Sequence, residues 1–234
     1  MNYEDISYSV IHSNRKTVSI SINREGFVTV RAPRHINNQE IHQIVIQKIE
    51  WIKKKKELVL EKTRLADTKY HRNYDISSSM PFQGKEYPLK MIKYDGLKIP
   101  IVKLEQDYFV VRYGEYDKKR IRSSFLTWYM KMAKAIFMER ITHYQTLIKE
   151  PFGMVRIKEQ KSCYGSCSTK RNLNFNWKCV LAPKEVLDYI VVHELTHLKE
   201  MNHSKKFWEE VSKVYPNYKW CKSWLKENHA FLEI

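Results

Sequence analysis

Apolar and polar positions change their period several times along the chain. Residues 8–32 hold two β-rich runs, VSISIN and FVTVRAP, with partial alternation. Arg24-Glu25-Gly26 joins them, and Pro33 ends the second, so a β-hairpin is predicted. At Asn37 or Asn38, either a good helix cap, the spacing becomes helical. Ile41, Ile44, Val45, Ile49 and Ile52 form one stripe of NQEIHQIVIQKIEWIKKKKELVLEK, predicting one long helix over 38–64. Residues 66–80 are polar and read as a linker or loop. Alternation returns over 81–113 in three β-rich stretches, FQGKEYPLKMIKY, LKIPIVKLE and YFVVRY. Asp95-Gly96 and Gln106-Asp107 separate them.

From Asp117 to Lys149 the pattern is helical again, with Phe125, Leu126, Trp128, Tyr129, Met132, Ile136 and Phe137 supplying a core face. Pro151-Phe152-Gly153 closes it. Three strands are predicted next, in MVRIKEQ, around CYGSCS, and in NLNFNWKCVLAP. Pro183 precedes a last strongly apolar helix, in which Leu187, Ile190, Val191, Leu195 and Leu198 form a buried stripe. The 117–149 helix is expected to pack beneath it. Strands followed by helices, with little strict βαβ alternation, indicate an α+β fold. The expected division is a β-rich N-terminal region over 1–115, carrying the long helix, and a second domain over 116–234.

The last apolar helix carries polar residues that need a reason. Residues 193–203 read HELTHLKEMNH. Positions i and i+4 share a helix face, so His193 and His197 can point two imidazoles at one cation. Glu194 is placed to take a proton from a metal-activated water. Burying such groups is costly without partners, and a metal would be one. His203, six residues after His197, would stand about 240° round a continuing helix. The chain must therefore leave the helix before it. Metzincins use the same interval with a glycine three residues after the second histidine, where this chain has Glu200. Asn202 is the expected turn residue, since Asn tolerates the left-handed conformation. Ser204 then caps a helix KKFWEEVSKVY, followed by Pro216. Three histidines with one open position describe a catalytic zinc site.

Composition adds less. The net charge is +16, which predicts attraction to polyanions such as nucleic acid. The excess is diffuse: 24 basic against 15 acidic side chains over 1–125, and 18 against 11 over 126–234. Lys53 to Lys56 wrap round their helix and cannot form one face; a solvated helix end or a phosphate-binding patch both suit them. The start, MNYEDISYSV, has no apolar core of a secretion signal, and no stretch is long and apolar enough to span a bilayer. A cytoplasmic protein is expected. Cys163, Cys167, Cys179 and Cys221 match no CxxC pair and are expected to be free thiols.

Several segments in order resemble the YgjP-like zinc metallopeptidase family, related to the SprT and WLM zincin proteases. These are the N-terminal strands, the helix with WIKKK, GKEYPL, KSCYGSCSTKRNLNFNWKCVLAP, VLDYIVVHELTHLKEMNHSKKFWEEV and YPNYKWCKSWL. The likeness covers nearly the whole chain and is strongest over 156–225. It implies a zincin-like domain whose HExxH helix carries the active site. Zn2+ is then held by His193, His197 and His203, and Glu194 acts as general base on peptide bonds of a protein or peptide substrate. The family's tryptophan in WGSCS is Tyr164 here, a candidate oxyanion or substrate contact. Members often lie near restriction–modification genes. A substrate among DNA-associated proteins is therefore one expectation. A DNA-associated accessory protein with a structural or idle zinc site is another, and a zinc hydrolase for other bonds a third.

Overall fold

A computed structural model describes residues 2–3, 6–23, 25–70, 72–160 and 163–232. Arg24 of the predicted hairpin turn, and Lys161 and Ser162 of the segment before β10, lie outside the described residues. The chain divides into two compact units, Met1–His71 and Arg72–Ile234.

In the first unit, β1 (Asn2–Tyr3), β2 (Ile6–Ser13), β3 (Ser19–Ile22) and β4 (Val28–Pro33) form one sheet in the order β1-β2-β4-β3. β3 and β4 are the antiparallel hairpin predicted; β2 pairs in parallel with β4, which local pattern did not indicate. Val28, Val30 and Ala32 point to one face and bury against Ile41, Val45 and Ile52. Asn37 starts α1 (Asn38–Gln47) with a reciprocal capping box: its side chain accepts from the Glu40 N–H, and the Glu40 carboxylate accepts from the Asn37 N–H. The helix predicted over 38–64 is two helices, because α1 stops at Lys48, where ψ is 10°, and α2 begins afresh at Ile49–Tyr70. α2 also consumes part of the predicted loop, leaving 72–78 as the irregular start of the second unit.

The second unit starts with the sheet β5-β6-β8-β7, made of β5 (Ser79–Phe82), β6 (Lys85–Lys93), β7 (Ile101–Glu105) and β8 (Tyr108–Tyr113). Its two tight hairpins turn at Gln83-Gly84 and Gln106-Asp107, with left-handed φ at Gln83, Gly84 and Gln106. α3 (Lys118–Ile148) follows, capped by the Asp117 side chain and ended by Lys149 at φ 59°. Its buried spine of Ile121, Phe125, Tyr129, Ala133, Phe137, Ile141, Tyr144 and Ile148 repeats every three or four residues. Phe109 of β8 packs against Phe125, Trp128 and Tyr129 of α3. These strands therefore share the core of α3, and a division at 115/116 would fall inside this unit.

A three-stranded sheet, in the order β10-β11-β9, holds β9 (Val155–Lys158), β10 (Gly165–Cys167) and β11 (Leu173–Asn176). The expected strand over NLNFNWKCVLAP ends at Asn176, whose side chain accepts from the Lys178 N–H; Trp177–Leu181 is a 3-10 helix instead. Then come α4 (Lys184–Thr196), α5 (Lys205–Val214), α6 (Tyr218–Glu227) and a short 3-10 turn, His229–Leu232. α4 is the central helix of the unit, buried from Val186 to Val192 and again from Glu194 to Thr196. Packed against α3, it is tied there by a bidentate pair, Arg140 to Asp188, at 2.6 and 3.0 Å. Both side chains are nearly buried, so each supplies much of the other's compensation for lost water, with Glu139 and the Tyr144 ring also beside Arg140. Among the described residues no helix is long and apolar enough to cross a membrane.

Candidate metal centre

Histidines 193, 197 and 203 converge as predicted, with their ligand atoms all within 4.8 Å of one another. His193 lies in the last turn of α4, and His197 is its C-cap. The chain does not leave by way of Asn202: that residue has no positive φ. The exit is made instead by two shortened bonds, Leu198 N–H to Leu195 O and Lys199 N–H to Thr196 O, followed by a closing bond from Glu200 N–H to Thr196 O. These close the helix without a left-handed residue, which is why neither glycine nor asparagine was required. Ser204 caps α5 as predicted, accepting from the Phe207 N–H.

Phe207 is fully buried and touches all three imidazoles, at centroid distances of 4.9, 4.6 and 4.8 Å for His193, His197 and His203. The Nε2 atoms of His193 and His203 are 2.9 Å apart. Two nitrogen ligands of one tetrahedral zinc lie roughly 3.3 Å apart at Zn–N bonds of about 2.0–2.1 Å, so this donor set fits a single ion with small adjustment. His197 donates through Nδ1 to the Glu200 carbonyl at 3.0 Å, which leaves Nε2 as the inward lone pair. His193 Nδ1 faces the Tyr189 hydroxyl at 3.4 Å.

Glu194 is buried, and its Oε2 has no hydrogen-bond partner. An isolated buried carboxylate is unfavourable, and burial alone pushes its pKa up to about 8. Burial, helped by His197 and His203, pushes His193 down to about 3, and burial also lowers His197. The two helix histidines are thus neutral at ordinary pH, the form that binds a metal. An orphaned carboxylate oxygen beside three converging imidazoles is the environment a divalent cation would complete.

A cleft of about 510 Å³ opens onto these groups, lined on one side by residues 163–167 and on the other by Tyr189, Ile190, Met201 and Leu225. Gly165 lies against Glu194: a Cβ there would be 2.6 Å from Oε1 and 2.7 Å from Cγ. Tyr164 lines the cleft, but its hydroxyl bonds to His229 Nδ1 at 2.9 Å and approaches the Leu225 carbonyl. Phe207, Gly165 and Tyr189 were not singled out from the sequence. Only Gly165 carried a local signal, a glycine inside a strand, which marks close backbone approach. Lys53 and Lys56 line a separate cavity of about 690 Å³ together with Glu57 and Glu61, so the lysine run shares its surface with acids.

No match is found among curated proteins. Among solved structures, the chain is similar to the metallopeptidase zymogen abylysin of Pyrococcus abyssi, with 27% identity over 39% of this chain and 93% of that one, and a TM-score of 0.36. It is also similar to the metallopeptidase zymogen jannalysin of Methanocaldococcus jannaschii, with 23% identity over 40% of this chain and 96% of that one, and a TM-score of 0.37. The family described as YgjP-like, metallopeptidase domain, matches residues 16–228, from the first hairpin past the end of α6. The chain belongs to the YgjP-like metallopeptidase family.

Proposed function

We propose that this metallopeptidase is zinc-dependent and zincin-like, with His193, His197 and His203 as ligands and Glu194 as general base. The observation that carries the proposal is the convergence of three imidazoles beside a buried carboxylate with an unpartnered oxygen. Zinc, when bound, would supply Lewis acidity towards a water and a peptide carbonyl. Glu194 Oε2 would accept the proton of the attacking water and return it to the leaving amine. Gly165 keeps the carboxylate close to β10, and Phe207 holds the three rings together.

For the substrate, the sheet order supports an extended polypeptide. β10 is an edge strand, and its residues line the same cleft as Glu194. A peptide added at that edge would place its backbone beside the carboxylate. Tyr164 would serve as an oxyanion donor only after its hydroxyl leaves His229. The +16 charge supports a substrate carried on nucleic acid, and DNA affinity that falls steeply with salt is the expected result; weak, salt-insensitive binding would refute it. Four free thiols suit a cytoplasmic setting.

The deciding experiment pairs wild type with Glu194→Gln on an unfolded protein substrate. Glu194→Gln is expected to bind zinc as wild type does and to lose cleavage by at least about 100-fold, the lower end of the range for a general base. Retained cleavage would remove Glu194 as the base. Zinc bound by both with cleavage by neither would favour an accessory protein with an idle site.

A further inference from the structure

The three imidazoles of the proposed centre are not held alike. His193 has the Tyr189 hydroxyl at its Nδ1, and His197 has the Glu200 carbonyl. Among the described residues no hydrogen bond reaches Nδ1 of His203, whose one bond uses Nε2. His203 is also the exposed member of the three and lies between helices, after α4 has ended and before Ser204 caps α5. An imidazole on a loop, with neither nitrogen tied to the backbone, can rotate unless something holds its plane.

Phe207 meets it steeply, at 70° between planes, and what lies along its plane is a ring stack. The indole of Trp208 lies nearly parallel to His203, with centroids 5.7 Å apart and planes 26° apart. The indole is fixed in turn by α6. Tyr218 stacks on it at 5.3 Å and 18°, and the Lys222 ammonium sits 3.9 Å from its ring centroid. Phe207 meets its edge at 5.1 Å. A chain of contacts thus runs from α6 through Trp208 to the one ligand whose Nδ1 has no hydrogen-bonded partner among the described residues.

We propose that Trp208 is a positioning residue for His203, using aromatic stacking in place of the hydrogen bond that orients the other two ligands. It completes the third coordination position without touching the metal or the substrate. The proposal rests on the metal-centre assignment above. Outer partners of metal ligands are worth about 10–100-fold in affinity, and Trp208 is assigned an effect of that size.

The test measures zinc affinity of the full chain by competition with a chromophoric chelator, and the visible absorption of the cobalt-substituted protein. The variants are Trp208→Leu, which keeps apolar bulk but removes the plane, Trp208→Phe, which restores a ring, and each in a His203→Ala background. Trp208→Leu is expected to weaken zinc about 10–100-fold and to alter the cobalt spectrum, and Trp208→Phe to recover most of both. In the His203→Ala background the Trp208 substitution is expected to cost under about threefold, because its stack on His203 is gone and only a tilted contact with the His193 ring, at 5.8 Å and 56°, remains. Equal losses in both backgrounds would show a general packing role and overturn the proposal. So would zinc affinity and a cobalt spectrum unchanged in Trp208→Leu. If Trp208→Leu does not fold, Trp208→Phe and Lys222→Ala carry the same comparison. A wild type that binds no zinc would overturn the metal-centre assignment itself, an outcome distinct from wild-type binding that ignores Trp208.

Discussion

Gly165→Ala perturbs the proposed base without altering any proposed ligand. An added methyl at Gly165 would lie 2.6 Å from Glu194 Oε1, 2.7 Å from Cγ and 2.8 Å from Cδ. Ordinary carbon contacts begin near 3.5 Å, so the carboxylate must retreat by roughly 0.8 Å or the strand must move. The clash reaches back to Cγ, so turning the carboxylate alone does not relieve it. Glu194 is buried apart from its border on the cleft, so the room to retreat leads away from its place beside β10. Overpacking of this kind costs about 1–3 kcal/mol, partly offset by the about 0.4–1 kcal/mol that alanine recovers from the unfolded chain. The net is a melting temperature lower by a few degrees at a chain of this length. Catalysis should suffer more, because a misplacement near 1 Å costs about 100-fold. Thermal denaturation, zinc titration and peptide hydrolysis are measured on one preparation. The expected outcome is hydrolysis reduced about 100-fold, zinc affinity within about threefold of wild type and a small drop in melting temperature. Full hydrolysis by a folded, zinc-loaded Gly165→Ala would refute the link between this glycine and the position of Glu194.

Two further outcomes follow from the buried charges. Asp188→Ala strands Arg140 against α4 and is expected to destabilise the second unit by about 3–5 kcal/mol; a loss under about 1 kcal/mol in chemical denaturation would show that Arg140 finds water. In the metal-free protein, Glu194 keeps its proton when folded up to about pH 8 but gives it up near 4.5 when unfolded. Its stabilising contribution is complete below about 4.5 and is lost as pH rises through 8. His193 acts in the opposite sense, with stability lost as pH falls from 6.5 towards 3, so the clean window for Glu194 is pH 6.5–8. There, metal-free stability should fall with pH by at most about 1.4 kcal/mol per unit, and Glu194→Gln should flatten the slope. An equal slope in both proteins would assign the effect to another group.

Local pattern settled much of this protein. The period of apolar positions located the β3–β4 hairpin, α3 and α4, since each of these buries a face that its own spacing defines. Caps at Asn37 and Ser204 were legible because a cap is made by residues within three positions. The HExxH spacing placed His193 and His197 on one face for the same local reason, and the need to break the helix before His203 followed from helix geometry.

What only the tertiary structure decided depends on residues far apart in the chain. The parallel pairing of β2 with β4, and of β11 with β9, has no turn to announce it. The strands of 79–113 join the second unit because Phe109 finds α3, a contact invisible to any local window. Glu194 has a raised pKa because the fold buries it against Gly165, 29 residues earlier in the chain. The orientation of His203 likewise depends on α5 and α6 stacking Tyr218 and Trp208 in line with it. Sequence named the groups proposed to do chemistry, because their identity and spacing are local properties. Their protonation and aim are set by what is packed around them, and packing is a property of the whole fold.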